Sequence, residues 1–75
     1  MTTKHRFRGK YRLELRERDH GPPHVHLVGG SVDVLIDLTS LRTDGTWPRG
    51  LRAEVLDWVT EHRAELLEDW LRWHP

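Results

Sequence analysis

The sequence predicts a small α+β domain. It reads as a three-stranded antiparallel sheet (β-β-β-α) with one long C-terminal helix packed on its apolar face. Three observations predict this. The first part of the chain alternates apolar and charged residues. The middle holds two short apolar runs divided by Gly29-Gly30. The last third repeats apolar residues at helical spacing. Period two marks strand, and a period near 3.6 marks helix.

The alternation runs from Phe7 to Glu17. Phe7, Tyr11, Leu13 and Leu15 fall on one face, and Arg6, Arg8, Lys10, Arg12, Glu14, Arg16 and Arg18 on the other. This is the pattern of a half-buried strand. His24 to Val28 reads as a second strand and Val32 to Leu38 as a third, with Val32, Val34, Ile36 and Leu38 facing one way and Asp33, Leu35 and Asp37 the other. Gly29-Gly30 reads as the two-residue turn between them. Closing the hairpin there pairs Val28 with Ser31, Leu27 with Val32, His26 with Asp33, Val25 with Val34 and His24 with Leu35, which keeps the apolar side chains together. Directly opposed residues have Cβ atoms about 4.5–5.5 Å apart, so Asp33 would hold one nitrogen of His26 and select its tautomer.

Residues 39–47 read as a loop with a tight turn at Asp44-Gly45. Pro48 suits the first position of a helix. Leu51, Val55, Trp58, Val59, His62, Leu66, Trp70 and Trp73 then form one stripe, so the helix is expected to reach Trp73. Glu61–Arg63 is the point where it would break. His62, in the middle of the stripe, reads as a core residue before it reads as a ligand.

The chain has 75 residues, enough for a single domain over 1–75. A domain of this size buries only about 60–65% of its unfolded surface, so its core is marginal. It has no cysteine, which excludes both a disulfide framework and a thiolate metal site. Twelve basic and twelve acidic side chains give a net charge of zero, which argues neither for nor against nucleic acid. The distribution is uneven. Lys4, Arg6, Arg8, Lys10, Arg12, Arg16 and Arg18 crowd the N-terminal segment, whereas residues 54–69 hold six acids and Arg63. One basic and one acidic surface are expected. No signal-like apolar run opens the chain, and none approaches the roughly 20 residues of a membrane span, so a cytoplasmic protein without membrane contact is expected.

The stretch Arg18-Asp19-His20-Gly21-Pro22-Pro23-His24-Val25-His26 gathers three of the six histidines. Imidazole titrates near neutral pH and is the commonest metal ligand. A solvated turn with exposed strand histidines is the bland reading. Two chemistries compete with it. His24 and His26 with one carboxylate (Asp33, Asp19 or Asp37) would make a three-ligand set with an open position, suited to Zn, Fe or Ni, and His20 is a further candidate ligand. Alternatively, His24, His26, Asp33, Asp19 and Arg18 would form a metal-free catalytic set. In it an imidazole polarised by Asp33 moves a proton and a guanidinium stabilises an oxyanion. Arg6, Arg8, Lys10, Arg12 and Arg16 would make a phosphate-binding stripe. That stripe also reads as a charged edge strand that resists aggregation.

Asp19-His20-Gly21-Pro22-Pro23-His24-Val25-His26 follows the pattern Asp-His-x-Pro-Pro-His-x-His. Gly45-Thr46-Trp47-Pro48 and a tail containing Trp58, His62, Arg63, Glu65, Leu66, Leu67 and Trp70 follow it. In these features the chain resembles a family of small bacterial proteins, domain of unknown function 4160, from about Phe7 to Trp70. The resemblance implies a small α+β domain and a setting in paired-gene, toxin–antitoxin-like loci. It implies no reaction.

The first functional expectation is therefore a nucleic-acid-directed, toxin-like component of a two-gene module. The alternatives are a histidine-metal enzyme acting on a small molecule and a non-catalytic partner-binding module. Ala53, Ala64 and Leu71 lie outside the main helical stripe, and Trp73 adds a terminal aromatic. They predict a homodimer or a complex with a small protein from the same operon. RNA or DNA is the other expected partner.

Overall fold

The computed structural model describes residues 2–16 and 20–73. Its elements are β1 (Thr2–Phe7), β2 (Tyr11–Leu15), β3 (His24–Gly29), β4 (Val32–Asp37), β5 (Thr43–Asp44), α1 (Leu51–Glu61) and α2 (Arg63–Trp73). The strands form one antiparallel sheet in the order β1-β2-β3-β4-β5. The α+β class and the antiparallel sheet agree with the sequence. The number of strands and the single helix do not.

The strand expected over Phe7–Glu17 is two strands in the described residues. Arg8 and Gly9 both take positive φ, 53° and 63°, and the Lys10 N–H closes the turn on the Phe7 carbonyl at 3.1 Å. Positive φ at successive turn residues suits the right-handed twist of a hairpin, and glycine adopts it without steric cost. Alternation ran unbroken through the turn because Phe7 lies opposite Tyr11, so parity is kept. A bulge at Lys4 shifts the register between Thr3 and His5.

The β3–β4 hairpin turns one residue later than expected. Gly29 is a strand residue opposite Val32, and the register runs Val28 to Asp33, Leu27 to Val34, His26 to Leu35, Val25 to Ile36 and His24 to Asp37. Gly29 serves close approach here. A Cβ on it would sit 2.7 Å from the Lys10 carbonyl oxygen and 2.8 Å from Tyr11 Cδ1. The loop expected over 39–47 contains the two-residue β5, whose Asp44 and Thr43 pair with Leu35 and Ile36.

The helix starts at Leu51, after the position expected from Pro48. Gly50 precedes it with φ 75°. It breaks at His62, within the expected interval. The Trp58 carbonyl accepts both the His62 backbone N–H at 3.0 Å and the His62 ring Nδ1–H at 2.9 Å. A side chain competing for an i−4 carbonyl bends a helix. Arg63 then fixes the start of α2 to the end of β4, donating from Nε to the Leu38 carbonyl at 2.6 Å and from Nη2 to the Thr39 carbonyl at 2.7 Å.

Both helices cover one face of the sheet. Leu13, Leu15, Val25, Leu27, Val34 and Ile36 form a single buried cluster with Leu51, Val55, Val59, Leu66 and Trp70. At about 25 cal/mol per Å² of apolar surface, each fully buried leucine or valine contributes roughly 1.5–3 kcal/mol. His62 lies half-buried beside this cluster, in a stack with Trp58 and His5. The ring centroids are 4.0 Å and 4.8 Å from the indole. Among the described residues no helix is long and apolar enough to cross a membrane.

Candidate functional site

The sheet face opposite the buried apolar cluster carries the polar side chains, and the register arranges them in rows. Arg6, Arg12, Val28 and Asp33 form one row across β1 to β4. Glu14, His26, Leu35 and Asp44 form the next across β2 to β5. His24 and Asp37 begin a third. Side chains on one face of adjacent strands are neighbours, both directly and along the diagonal.

The diagonal joins His26 to Asp33. His26 Nδ1 lies 3.1 Å from Asp33 Oδ1, so Nδ1–H donates and Nε2 is the nitrogen turned from the carboxylate. The two residues were expected to be directly opposed. The shift of the turn makes them diagonal neighbours, and contact is kept because a two-residue change of register preserves the face. His26 is largely sheltered and Asp33 open, with side-chain exposures of 12% and 61%.

His24 is buried, at 8% exposure. Its Nδ1–H donates to the Pro22 carbonyl at 2.8 Å. Its ring lies 5.1 Å from the His26 ring and 5.0 Å from Trp70 of α2. Asp37, its cross-strand partner, caps the turn that follows. Oδ1 accepts the Thr39 N–H at 2.7 Å and the Ser40 N–H at 2.9 Å. Its carboxyl is held below the usual range, chiefly by the Ser40 N–H and against the cost of burial. The Thr39 N–H, the Ser40 hydroxyl and the charge on His24 act in the same lowering direction.

Glu14 was not singled out from the sequence. It is 2% exposed, held by Arg12 Nε at 3.2 Å and Arg16 Nη2 at 3.7 Å, and opposite His26. Its signal was its position as the one acid between Arg12 and Arg16 in the alternating segment. A buried carboxylate needs such partners.

The expected basic stripe is divided by the turn. Arg6 and Arg12 lie directly opposite each other, and Arg16 joins them through Glu14. Arg8 turns to the helix side, where Nε meets Glu54 at 3.3 Å and Nη2 meets the Gly50 carbonyl at 3.2 Å. Lys10 sits 5.6 Å above the Tyr11 ring. Lys4 pairs with Asp69.

Of the remaining expected site residues, His20 is exposed, and Arg18 and Asp19 lie outside the described residues. Among the described residues no group of three His, Asp or Glu side chains is placed to hold a metal ion. The structure therefore brings together His24, His26 and Asp33 and adds Glu14 and Asp37.

Residues 11–71 match the family described as Domain of unknown function (DUF4160). No curated protein and no solved structure matches the chain. The matched segment is most of the sequence, and the chain belongs to that family.

Proposed function

We propose that this member of the DUF4160 family is a nucleic-acid-directed protein, working as the toxin-like component of a two-gene module. The observation that carries the reading is the row that sets Arg6 directly against Arg12 and ends at Asp33. Like charges directly across a strand pair repel. A phosphate bridging the two guanidinium groups converts that repulsion into paired hydrogen bonds. The His26–Asp33 pair lies on the same face. The His26–Asp33 pair is the proton acceptor for an RNA 2′-hydroxyl. The freed oxygen bonds to phosphorus as the bond to the 5′-oxygen breaks, and that oxygen takes a proton from solvent. Arg6 and Arg12 stabilise the charge that develops on phosphorus.

Labelled single-stranded RNA and DNA, incubated with the protein with and without a chelator, test this. Chelator-insensitive cleavage of RNA is expected. His26→Ala should abolish it while binding persists, and Arg6→Ala/Arg12→Ala should weaken binding and flatten its salt dependence. No binding at low salt removes the proposal. The toxin-like role is read from growth arrest on induction, relieved by co-expression of the adjacent gene.

A second reading, a histidine-metal enzyme acting on a small molecule, is favoured by the 5.1 Å approach of the His24 and His26 rings. Stoichiometric Zn, Fe or Ni in untagged protein, lost in His24→Ala/His26→Ala, would move the conclusion to it. Association is carried by Leu71 and Trp73, exposed at 61% and 53%. A shift to monomer in sedimentation on Leu71→Glu or Trp73→Glu is the expected result, and an unchanged monomer mass removes it.

A further inference from the structure

β1 ends the sheet, and among the described residues no strand pairs with its outer edge. Between β1 and α1 lies a cleft of about 330 Å³ lined by His5, Phe7, Glu54, Asp57, Trp58 and Glu61. Its apolar part is Phe7 and Trp58, with the His5 ring stacked on the indole at 4.8 Å. Its rim is acidic. Glu54, Asp57 and Glu61 stand at i, i+3 and i+7 of α1, so they share one side of the helix. Arg8 engages Glu54 at 3.3 Å. Asp57 and Glu61 are exposed and have no ion pair with a described residue. Like charges four residues apart on a helix repel, so a cation beside them is favoured. On the other face of β1 the sign reverses. Arg6 is exposed there, set against Arg12, and it too has no ion pair with a described residue. Lys4, by contrast, is taken up by Asp69.

We propose that the outer edge of β1 docks an extended segment of a partner protein in which basic and acidic residues alternate. An added strand is held through its main chain, and its side chains decide which sequence fits. Those side chains point alternately to the two faces of the sheet. One set enters the cleft beside Asp57 and Glu61 and is cationic. The other set lies beside Arg6 and is anionic. The aliphatic stem of a lysine or arginine covers Phe7 and Trp58 while its charged head reaches the carboxylates. A second copy of β1 does not fit, because the strand carries Lys4, His5 and Arg6 and no acid. The bulge at Lys4 confines regular pairing to His5–Phe7, the part of the edge that borders the cleft. Bulges and charges of this kind also keep an edge from pairing indiscriminately. This docking requires no nucleic acid.

Two short labelled peptides of equal composition test this on the full chain. One alternates lysine and glutamate, and the other carries the same residues in two blocks. Anisotropy gives the affinity, and ¹H–¹⁵N spectra with amide exchange give the place. The alternating peptide should bind, shift the His5, Arg6 and Phe7 amides and the Trp58 indole resonance, and slow exchange in β1. The block peptide should bind about tenfold more weakly. Asp57→Lys/Glu61→Lys and Arg6→Glu should each cost the alternating peptide about tenfold in affinity. Asp57→Asn/Glu61→Gln replaces the first variant if the reversal disturbs folding, and it should weaken binding in the same direction. Equal binding of both peptides, or affinity that the charge variants leave unchanged, shows unspecific ionic attachment and overturns the proposal. Binding that leaves the β1 amides in place overturns it as well. Protection of β1 that rises with protein concentration in the absence of peptide gives the edge to a second copy instead. No binding of either peptide at low salt removes the docking site and leaves the nucleic-acid reading untouched.

Discussion

His26 Nδ1 lies 3.1 Å from Asp33 Oδ1 although the two residues stand diagonally, with Leu35 and not Asp33 opposite His26. The carboxylate therefore reaches sideways from an exposed position to a sheltered ring. An exposed ion or hydrogen-bond partner of this kind is worth about 1 kcal/mol or less to stability. Its value lies in fixing the tautomer. Asp33→Asn should move the urea midpoint little and lower RNA cleavage by at least about 10–100-fold, the scale known for losing the carboxylate behind a metal-bound histidine. Cleavage at the parent rate in a folded Asp33→Asn chain would show that His26 acts without it.

Glu14 makes the opposite case. It is nearly fully buried and holds two guanidinium groups that are themselves more than a third, or close to a third, exposed (39% and 34%). Glu14→Gln keeps the shape and removes the charge. It should cost about 1–3 kcal/mol in urea unfolding, the range for breaking a buried charge-assisted bond. It should also raise oligonucleotide affinity at low salt, because Arg12 and Arg16 lose their internal anion. A stable variant with unchanged affinity would show that Glu14 does not govern these arginines.

The carboxyl of Asp37 is lowered by the Ser40 N–H first, with burial opposing it. A carboxyl lowered in the folded state contributes stability above its unfolded pKa, near 3.9, and loses it as pH falls through the folded value. The stability gap between the parent chain and Asp37→Asn should therefore hold from neutral pH to about pH 4 and shrink below it. Thermal unfolding across that range measures the gap. A gap that widens on acidification contradicts the assignment.

The close packing of β3 on β2 depends on Gly29. A Cβ at that position meets backbone at 2.7 Å and the Tyr11 ring at 2.8 Å, so either β2 and β3 separate or Tyr11 swings away. Gly29→Ala should destabilise by about 1–3 kcal/mol, the cost of overpacking a fitted contact. Denaturant titration measures the loss, and an unchanged midpoint would show that the strands part without cost.

The elements were legible where one face is buried. The alternating apolar residues of β2, β3 and β4 and the helical stripe from Leu51 to Trp70 were placed on the covered face correctly, because burial imposes periods of two and 3.6, whereas Trp73, expected in the same stripe, is exposed. The turn at Arg8-Gly9 was hidden because Phe7 opposes Tyr11 and the alternation passes through it unchanged. Gly29 was assigned to a turn because a glycine pair looks the same whether it serves positive φ or close packing. The contact of His26 with Asp33 was legible, since the faces of both were fixed by alternation. Glu14 was not, because burial of a charge depends on partners that the strand pattern alone does not bring together.

Every strand in the sheet order β1-β2-β3-β4-β5 pairs only with its immediate neighbours in the chain. Kinetically, such a meander closes short loops one hairpin at a time, and hairpins form in about 1–10 μs. The sheet can thus assemble in the order of synthesis, each new strand adding to an edge already made. Its apolar face waits for Leu51 to Trp70, which arrive last. During translation that face is bare for as long as the tail is still in the ribosome, and pulsed hydrogen exchange should find sheet amides protected before those of α1 and α2. The interval, more than the finished fold, is when this protein is open to aggregation or to capture by another chain.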